Sequence, residues 1–248
     1  MGGGGVRLLI LGGTGDAAEL ARRVVEIPAL EVRVSLAGRT RQPGEVSGLV
    51  RVGGFGGVAG LVDYLEAEKI DLLVDATHPF AAKISENAAV AAKQTGIRNL
   101  MLVRPGWEKL PGDDWYEVES VEAAAEMLPS LGKRVFLTIG RQQLDRFSHL
   151  HDTWFLMRSI DPPETQIPGG KLLCDRGPFS LDNEKQLLQK YQIDTLVSKN
   201  SGGDATYAKI IAARELGIKV IMIQRPPIPH GEKVTDVDAA LKWLKEFP

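Results

Sequence analysis

Short apolar runs at Arg7–Leu11, Val32–Leu36, Leu49–Val52, Asp71–Asp75 and Asn99–Val103 alternate with stretches whose apolar residues return every three or four positions, as in Asp16–Ile27 and Phe80–Gly96. Short runs bounded by turn residues predict buried strands, and the longer periodic stretches predict helices. The rhythm then repeats. Arg134–Ile139, Thr153–Arg158, Thr195–Ser198 and Lys219–Ile223 predict strands, Ser180–Tyr191 and Asp204–Gly217 predict helices, and a closing helix is expected over Thr235–Phe247. Consecutive strands joined through a helix must run parallel, so the chain predicts an α/β fold with mainly parallel sheets covered by helices on both faces.

The two halves also share letters. "AAKQTGIRNLMLVRP" (Ala91 to Pro105) lies over "AARELGIKVIMIQRP" (Ala212 to Pro226) without a gap, and "VESVEAAAEML" matches "VTDVDAALKWL" further on. Generic helix, Gly-turn and strand chemistry explains part of this likeness, but the paired Arg-Pro endings favour an internal duplication. Two Rossmann-like domains follow, 1–131 for a dinucleotide and 132–248 for much of the substrate site, with the boundary between about 105 and 132. The loops "DATHPF" (Asp75 to Phe80) and "SKNSGG" (Ser198 to Gly203) are then equivalent strand ends, expected to face one interdomain cleft, because open α/β sheets bind ligands at the carboxyl ends of their strands.

The turn after the first strand, "LGGTGDA", reads G-x-G-x-x-A directly before a helix. That context fits a pyrophosphate: the glycines allow a tight turn, and the helix start offers free N–H groups and a positive dipole end. Cofactor contacts are expected from Gly12, Gly13, Thr14, Gly15 and Asp16, with Asp16 capping the helix or bonding a sugar hydroxyl. Asp75, Ala76 and Thr77 complete that seat. After the second strand, "AGRTR" carries no acid, so Gly38, Arg39 and Thr40 suit a 2′-phosphate, and NADPH is favoured over NADH. A Gly-rich turn that binds nothing and a solvated pair of arginines are the plain alternatives.

The equivalent turn in the second half, "LTIGRQQLD", keeps only Gly140. One dinucleotide seat per chain follows. Arg141, Arg158, Arg176, Lys199 and Lys209 instead bring cations toward strand ends, which suits a ligand with several carboxylates. Substrate contacts are expected at His78, Pro79, Phe80, Arg141, Lys199, Asn200, Ser201, Gly202, Gly203, Thr206 and Lys209. His78 and Tyr207 are the candidate proton donors, with solvent as the alternative. His149, His151 and His230 read as exposed, and no metal-ligand spacing occurs.

Lys plus Arg (30) nearly balance Asp plus Glu (32), so the whole molecule gives no electrostatic case for nucleic acid or a membrane surface. No apolar run approaches the ~20 residues of a membrane-spanning helix. The opening "MGGGG" reads as a flexible lead-in, since Val6 stands where myristoylation wants Ser or Thr. The lone Cys174 excludes an internal disulfide and suits a reducing cytoplasm; it is expected to be buried and inert. Oligomeric state is not legible.

Taken together, "LGGTGDA", "AGRT", "DATHPFA", "GPFS", "SKNSGG" and "M-I-x-R-P" resemble the precorrin-6A reductase family, in the same order from about Arg7 to Pro227. The resemblance implies a two-domain enzyme that uses a nicotinamide cofactor to reduce one double bond of a corrin-precursor macrocycle, with hydride going to one ring carbon and a proton to its neighbour. It assigns the cofactor to Gly12 to Gly15, Arg39 and Thr40 and cleft roles to the loops 75–80 and 198–203, and the substrate's eight carboxylate arms suit the cationic second half. The family has a cobalt-free and a cobalt-containing branch, which these motifs do not separate. Against this stand two other readings: a methyltransferase using S-adenosylmethionine, which would leave Arg39 without a purpose, and a non-enzymatic NADP-sensing module.

Overall fold

The structure is a computed structural model, and it describes residues 5–38 and 46–247. Arg39 and Thr40 lie outside the described residues, as does most of the glycine lead-in. The elements run β1 (Val6–Leu11), α1 (Gly15–Val24), β2 (Leu30–Leu36), β3 (Leu49–Val52), α2 (Val58–Ala67), β4 (Leu72–Asp75), α3 (Ala82–Thr95), β5 (Arg98–Leu102), β6 (Trp115–Val118) and α4 (Val121–Met127). They continue as β7 (Arg134–Thr138), β8 (Trp154–Ser159), β9 (Gly170–Cys174), α5 (Leu181–Lys190), β10 (Thr195–Lys199), α6 (Ala208–Leu216), β11 (Lys219–Ile223), β12 (Glu232–Val234) and α7 (Val237–Leu244).

Two six-stranded sheets result, ordered β12-β5-β4-β1-β2-β3 and β6-β11-β10-β7-β8-β9, and every pairing is parallel. Both are doubly wound: numbering each repeat's strands from its own first, the order is 3-2-1-4-5 plus a sixth at the edge. Strands buried on both faces read as continuous apolar runs, which is why β1, β4, β7 and β10 were visible in the letters.

In the first unit, Leu8 and Ile10 of β1 face α1 and α7 through Leu20, Leu241 and Trp243, while Leu9 and Leu11 face α2 and α3 through Leu61, Leu65, Ala88 and Ala92. In the second, Phe136, Leu156 and Leu196 pack against Leu188 of α5 and Ile210 of α6.

The boundary falls at the lower edge of the expected range, and the end of the chain needs correction, because residues 226–248 do not stay with the second unit. The compact units are Met1–Pro105 with Pro226–Pro248, and Gly106–Arg225. After β5 the chain leaves the first unit and lays β6 and α4 onto the second; after β11 it returns and lays β12 and α7 onto the first. The repeat in sequence is therefore real as a succession of elements, but each copy's sixth strand and last helix belong to the other copy's sheet. Their local geometry is shared: Ser120 and Asp236 cap α4 and α7 from nearly identical extended backbones, each side chain accepting the N–H three residues on. The strands that reveal the exchange, β6 and β12, are only 4 and 3 residues long and carry charges, too short for a periodicity to register. β9, a half-exposed edge strand, escaped notice for the same reason.

A chain ending at Pro226 loses β12 from the edge of β5 and removes Leu241, Trp243 and Leu244 from the first core. It is expected to lose the first unit's cooperative melt in circular dichroism. Replacing 106–225 by a short Gly/Ser linker is expected to preserve that melt; the reverse outcome would overturn the assignment of β12 and α7.

Candidate functional site

The first sheet reverses its order between β1 and β4, the point at which doubly wound sheets hold ligands. Gly12 sits there under pressure from β2: a Cβ would meet Val34 Cγ1 at 3.1 Å and Leu36 Cδ2 at 3.2 Å. Gly13 follows with φ of 106°, a region that side chains avoid. Thr14, in extended conformation, is the N-cap of α1; its Oγ1 accepts the Ala17 N–H (3.1 Å) and donates to the Ala76 carbonyl (2.8 Å). One hydroxyl thus caps the helix and ties the glycine turn to the loop after β4. Gly15 and Asp16, the first two helical residues, make no backbone N–H hydrogen bond among the described residues. Two unpartnered donors at a helix start are what an anionic pyrophosphate requires.

Asp16 neither caps the helix nor, among the described residues, stands alone as a negative charge. Its carboxylate meets Arg104 Nη1 at 3.1 Å. Arg104, just beyond β5, went unassigned in the sequence although the repeated Arg-Pro endings marked the position. The pair offsets the one charge that would repel a phosphate at this helix end.

A second feature escaped the sequence reading: "RVGGFGG" (Arg51 to Gly57) is another Gly-rich strand-to-helix turn, leading from β3 into α2. Arg51 lies opposite Ser35 in the β2–β3 register, bonds its hydroxyl (3.3 Å), donates to the carbonyls of Gly53 and Gly54, and stacks 3.9 Å from the Phe55 ring centroid. It fixes the loop beside the end of β2, where Gly38 sits at positive φ.

After β4, Asp75 is buried and accepts both the N–H (3.1 Å) and the hydroxyl (2.6 Å) of Thr77. Ala76 N–H bonds the Leu11 carbonyl, extending the β1–β4 ladder into the loop. His78 Nδ1 accepts the Phe80 N–H at 3.2 Å, so a neutral ring carries its proton on Nε2 and presents a donor. The His78–Ala81 turn delays α3 to Ala82, two residues later than Phe80. Asp75, Thr77, His78, Ala82, Met101 and Ile228 line a depression at the ends of β4 and β5. The structure thereby groups the expected cofactor residues Gly12 to Asp16 with Asp75 to Thr77.

In the second unit, the place of α1 is taken by a 3-10 turn over Arg141–Phe147, with Gly140 at positive φ before it. Arg141 donates to the Pro162 carbonyl (3.1 Å) and faces Glu164 at 3.9 Å. Lys199 Nζ donates to Gln143 Oε1 (2.7 Å). Gly202 and Gly203 both have positive φ, Ser201 is buried and Thr206 half-buried.

Two expected contacts have different work here. The Asn200 side chain accepts the Trp107 N–H (2.7 Å) and donates to the Trp107 carbonyl (3.0 Å), while its own carbonyl accepts from Arg225 Nε (2.8 Å). It holds the segments by which the chain enters and leaves this unit. The Tyr207 hydroxyl accepts from Arg214 Nη2 (3.0 Å), two turns along α6, and Arg214 pairs with Asp113 ahead of β6. That contact draws the hydroxyl along α6 toward Arg214 and engages it as an acceptor, while its own proton remains to donate.

Arg158 is likewise corrected as a receiver of ligand carboxylates. It is buried in a bidentate pair with Glu184 (2.6 and 2.9 Å), its guanidinium 3.6 Å from the Phe179 ring centroid. Beside this pair lies Lys209, 4% exposed, its ammonium 5.7 Å from the Trp107 ring centroid. Burial, reinforced by Arg158 and opposed by Glu184, pushes the Lys209 amine down to about 7. Cys174 is exposed rather than buried, since β9 is an edge strand. His149, His151 and His230 are exposed, and the described residues hold no metal-binding cluster. No helix among them is long and apolar enough to cross a membrane.

A doubly wound parallel sheet with a capped, Gly-rich helix start at its reversal point is the architecture of Rossmann-like α/β proteins. A family profile described as Precorrin-6x reductase CbiJ/CobK matches residues 7–245, and the chain belongs to that family. It is an oxidoreductase, so the methyltransferase and sensing readings fall away. Precorrin-6A reductase of Rhodococcus erythropolis is 51% identical over 240 residues, covering 96% of this chain and 97% of that protein. Cobalt-precorrin-6A reductase of Priestia megaterium is 26% identical, covering 90% and 92%. A solved structure of CobK precorrin-6A reductase superposes with a TM-score of 0.91 at 42% identity, covering 97% of this chain and 96% of that one.

Glu184→Leu is expected to destabilise the protein by about 3–5 kcal/mol, because it leaves the buried Arg158 guanidinium without its anion. Arg158→Met is expected to cost less, since Lys209 remains to face Glu184; denaturant titration ranks the two. Lys209→Met is expected to raise Tm by several degrees at pH 6 and much less at pH 10. An unfolded lysine keeps its proton up to about pH 10.5, whereas the folded Lys209 releases it near 7. Between those values the unfolded chain binds more protons, so stability rises with pH and the burial cost is greatest below 7.

Proposed function

We propose that this reductase uses NADPH to reduce one double bond of precorrin-6A, the cobalt-free macrocycle. The observation that carries the cofactor half is the α1 start: a Gly12–Gly13 cradle in which a Cβ at Gly12 would crowd Val34 and Leu36, two unpartnered N–H groups at Gly15 and Asp16, and the Asp16 charge offset by Arg104. These residues fit a pyrophosphate. The substrate half rests on end-to-end similarity to precorrin-6A reductases, 42–51% identity against 26–31% for cobalt-precorrin-6A reductases, which favours the cobalt-free branch.

A bound nicotinamide supplies the hydride. The chain's own residues bind and orient. Gly12 to Asp16 hold the pyrophosphate, Asp75 to Thr77 fix the loop beside it, and Gly38 with Arg39 and Thr40 receive the 2′-phosphate. His78 presents Nε2–H to the substrate, either as a hydrogen-bond donor or as the acid that protonates the neighbouring carbon, with Pro79 and Phe80 shaping the same loop. Arg141, Lys199 and Lys209 take carboxylate arms, with Ser201 to Gly203 and Thr206 as the surrounding loop. Bringing donor and acceptor carbons to about 3–3.5 Å is most of the catalysis such a site needs. A single cysteine and a need for reduced nicotinamide support reading the reaction as cytoplasmic.

The test is NADPH consumption with precorrin-6A and with its cobalt form. Faster turnover of the cobalt-free substrate is expected, and a flat trace with both refutes the reading. Arg39→Ala is expected to raise the KM for NADPH about tenfold while leaving that for NADH nearly unchanged. Equal loss with both cofactors would show that Arg39 does not read the 2′-phosphate.

A further inference from the structure

Lys209 is the one strand-end cation of the second unit that the fold buries without giving it an anion of its own. It lies in the first turn of α6, after the loop with Gly202 and Gly203, at the carboxyl edge of the sheet. Among the described residues its ammonium makes no hydrogen bond or ion pair. The charged groups that face it are Arg158 of β8 and Glu184 of α5, and these already satisfy one another through two hydrogen bonds. The Trp107 ring is held above it by the Asn200 clamp and by the indole N–H on the Gly203 carbonyl (2.8 Å). The cluster therefore contains two basic side chains and one carboxylate.

We propose that Lys209, over the Arg158–Glu184 pair, is a buried seat for one carboxylate arm of the substrate, and that filling the seat is linked to uptake of one proton by Lys209. This rests on the reading of the substrate as a polycarboxylate macrocycle. The proton comes from bulk water and converts the neutral amine to an ammonium; no bond of the substrate changes. An arriving carboxylate adds the missing anion in a low-dielectric site, where the ionised pair is stabilised far more than it would be in water. In the free protein the amine titrates near 7, so the uptake is confined to pH above that value.

The substrate arm thus meets a site that is neutral when empty and charged when full. A permanently charged lysine would have to be buried unpaired between turnovers, and a permanently neutral one would leave the arm without a counter-ion.

The decisive measurement is proton uptake on binding precorrin-6A without NADPH, read with a pH-indicator dye in weakly buffered solution. About one proton per bound substrate is expected at pH 8 and close to none at pH 6. Lys209→Met is expected to abolish the uptake and weaken binding about tenfold; a thermal melt verifies that it folds. Lys209→Arg, charged throughout, is expected to abolish the uptake but retain most of the affinity. An NMR titration of the Lys209 ε-carbon in the free protein is expected to show a midpoint near 7. No uptake in a wild-type protein that turns over precorrin-6A overturns this inference alone, as does uptake that survives in Lys209→Met or a lysine midpoint near its ordinary value. Absence of turnover and of binding refutes the substrate reading instead.

Discussion

A parallel strand cannot be added to a sheet by a hairpin, so each edge must be delivered by a crossover. In this protein the crossovers that supply the sixth strands run from one unit to the other. β12 follows the whole of the second unit in the chain before it pairs with β5, and β6 precedes in the chain every other strand of the sheet it edges. The first unit's core therefore closes with Leu241, Trp243 and Leu244, which lie at the far end of the chain from Leu8 and Ile10. Asn200 is where this constraint touches the site: the loop expected to hold substrate is also the clamp on Trp107 and Arg225, at the start and end of the inserted unit.

The strand ends collect charge, and the fold gives much of it a side-chain partner close by. Asp16 meets Arg104, Arg158 meets Glu184, Arg141 meets Glu164, and Lys199 meets the amide oxygen of Gln143. The pairings differ in consequence. Exposed or half-exposed pairs such as Arg141–Glu164 contribute little to stability and are easily exchanged for a ligand's carboxylate. The Arg158–Glu184 pair is sealed, so it serves as scaffold and not as a receiver. Asp16–Arg104 is intermediate: it leaves the helix dipole as the dominant field at the glycine turn.

What the letters revealed follows from which interactions are local. The strand, Gly turn and helix at 7–24 carry their own signals, since the apolar run, the positive-φ glycine and the cap all fall within one short window. The loops at 75–80 and 198–203 were found as strand ends for the same reason, and the topology makes them equivalent as fourth strands. Partners distant in sequence were not legible: Arg104 for Asp16, Glu184 for Arg158 and Trp107 for Asn200. Each changed a role that residue type alone had suggested. The exchange of sixth strands was invisible because β6 and β12 follow the same Arg-Pro segment in both repeats, and nothing local states which sheet comes next. Cys174 was misjudged because cysteine's general preference for burial says nothing about an edge strand.

Lys209 stands apart from this pattern of local consistency. Natural sequences keep propensity, packing and charge in agreement, and departures that cost stability gather where function demands them. A lysine held 4% exposed beside an arginine is such a departure, because either an ammonium is desolvated without an anion or an amine is kept neutral far below its ordinary range. Methionine would fill the same space without that cost. Nothing in the packing of α6 against α5 calls for an amine, since Leu188, Ile210 and Ala213 already join the two helices to one apolar core. The cost is recovered only by a state in which a second negative charge enters the cluster, and a carboxylated ligand at the carboxyl edge of the second sheet supplies that state.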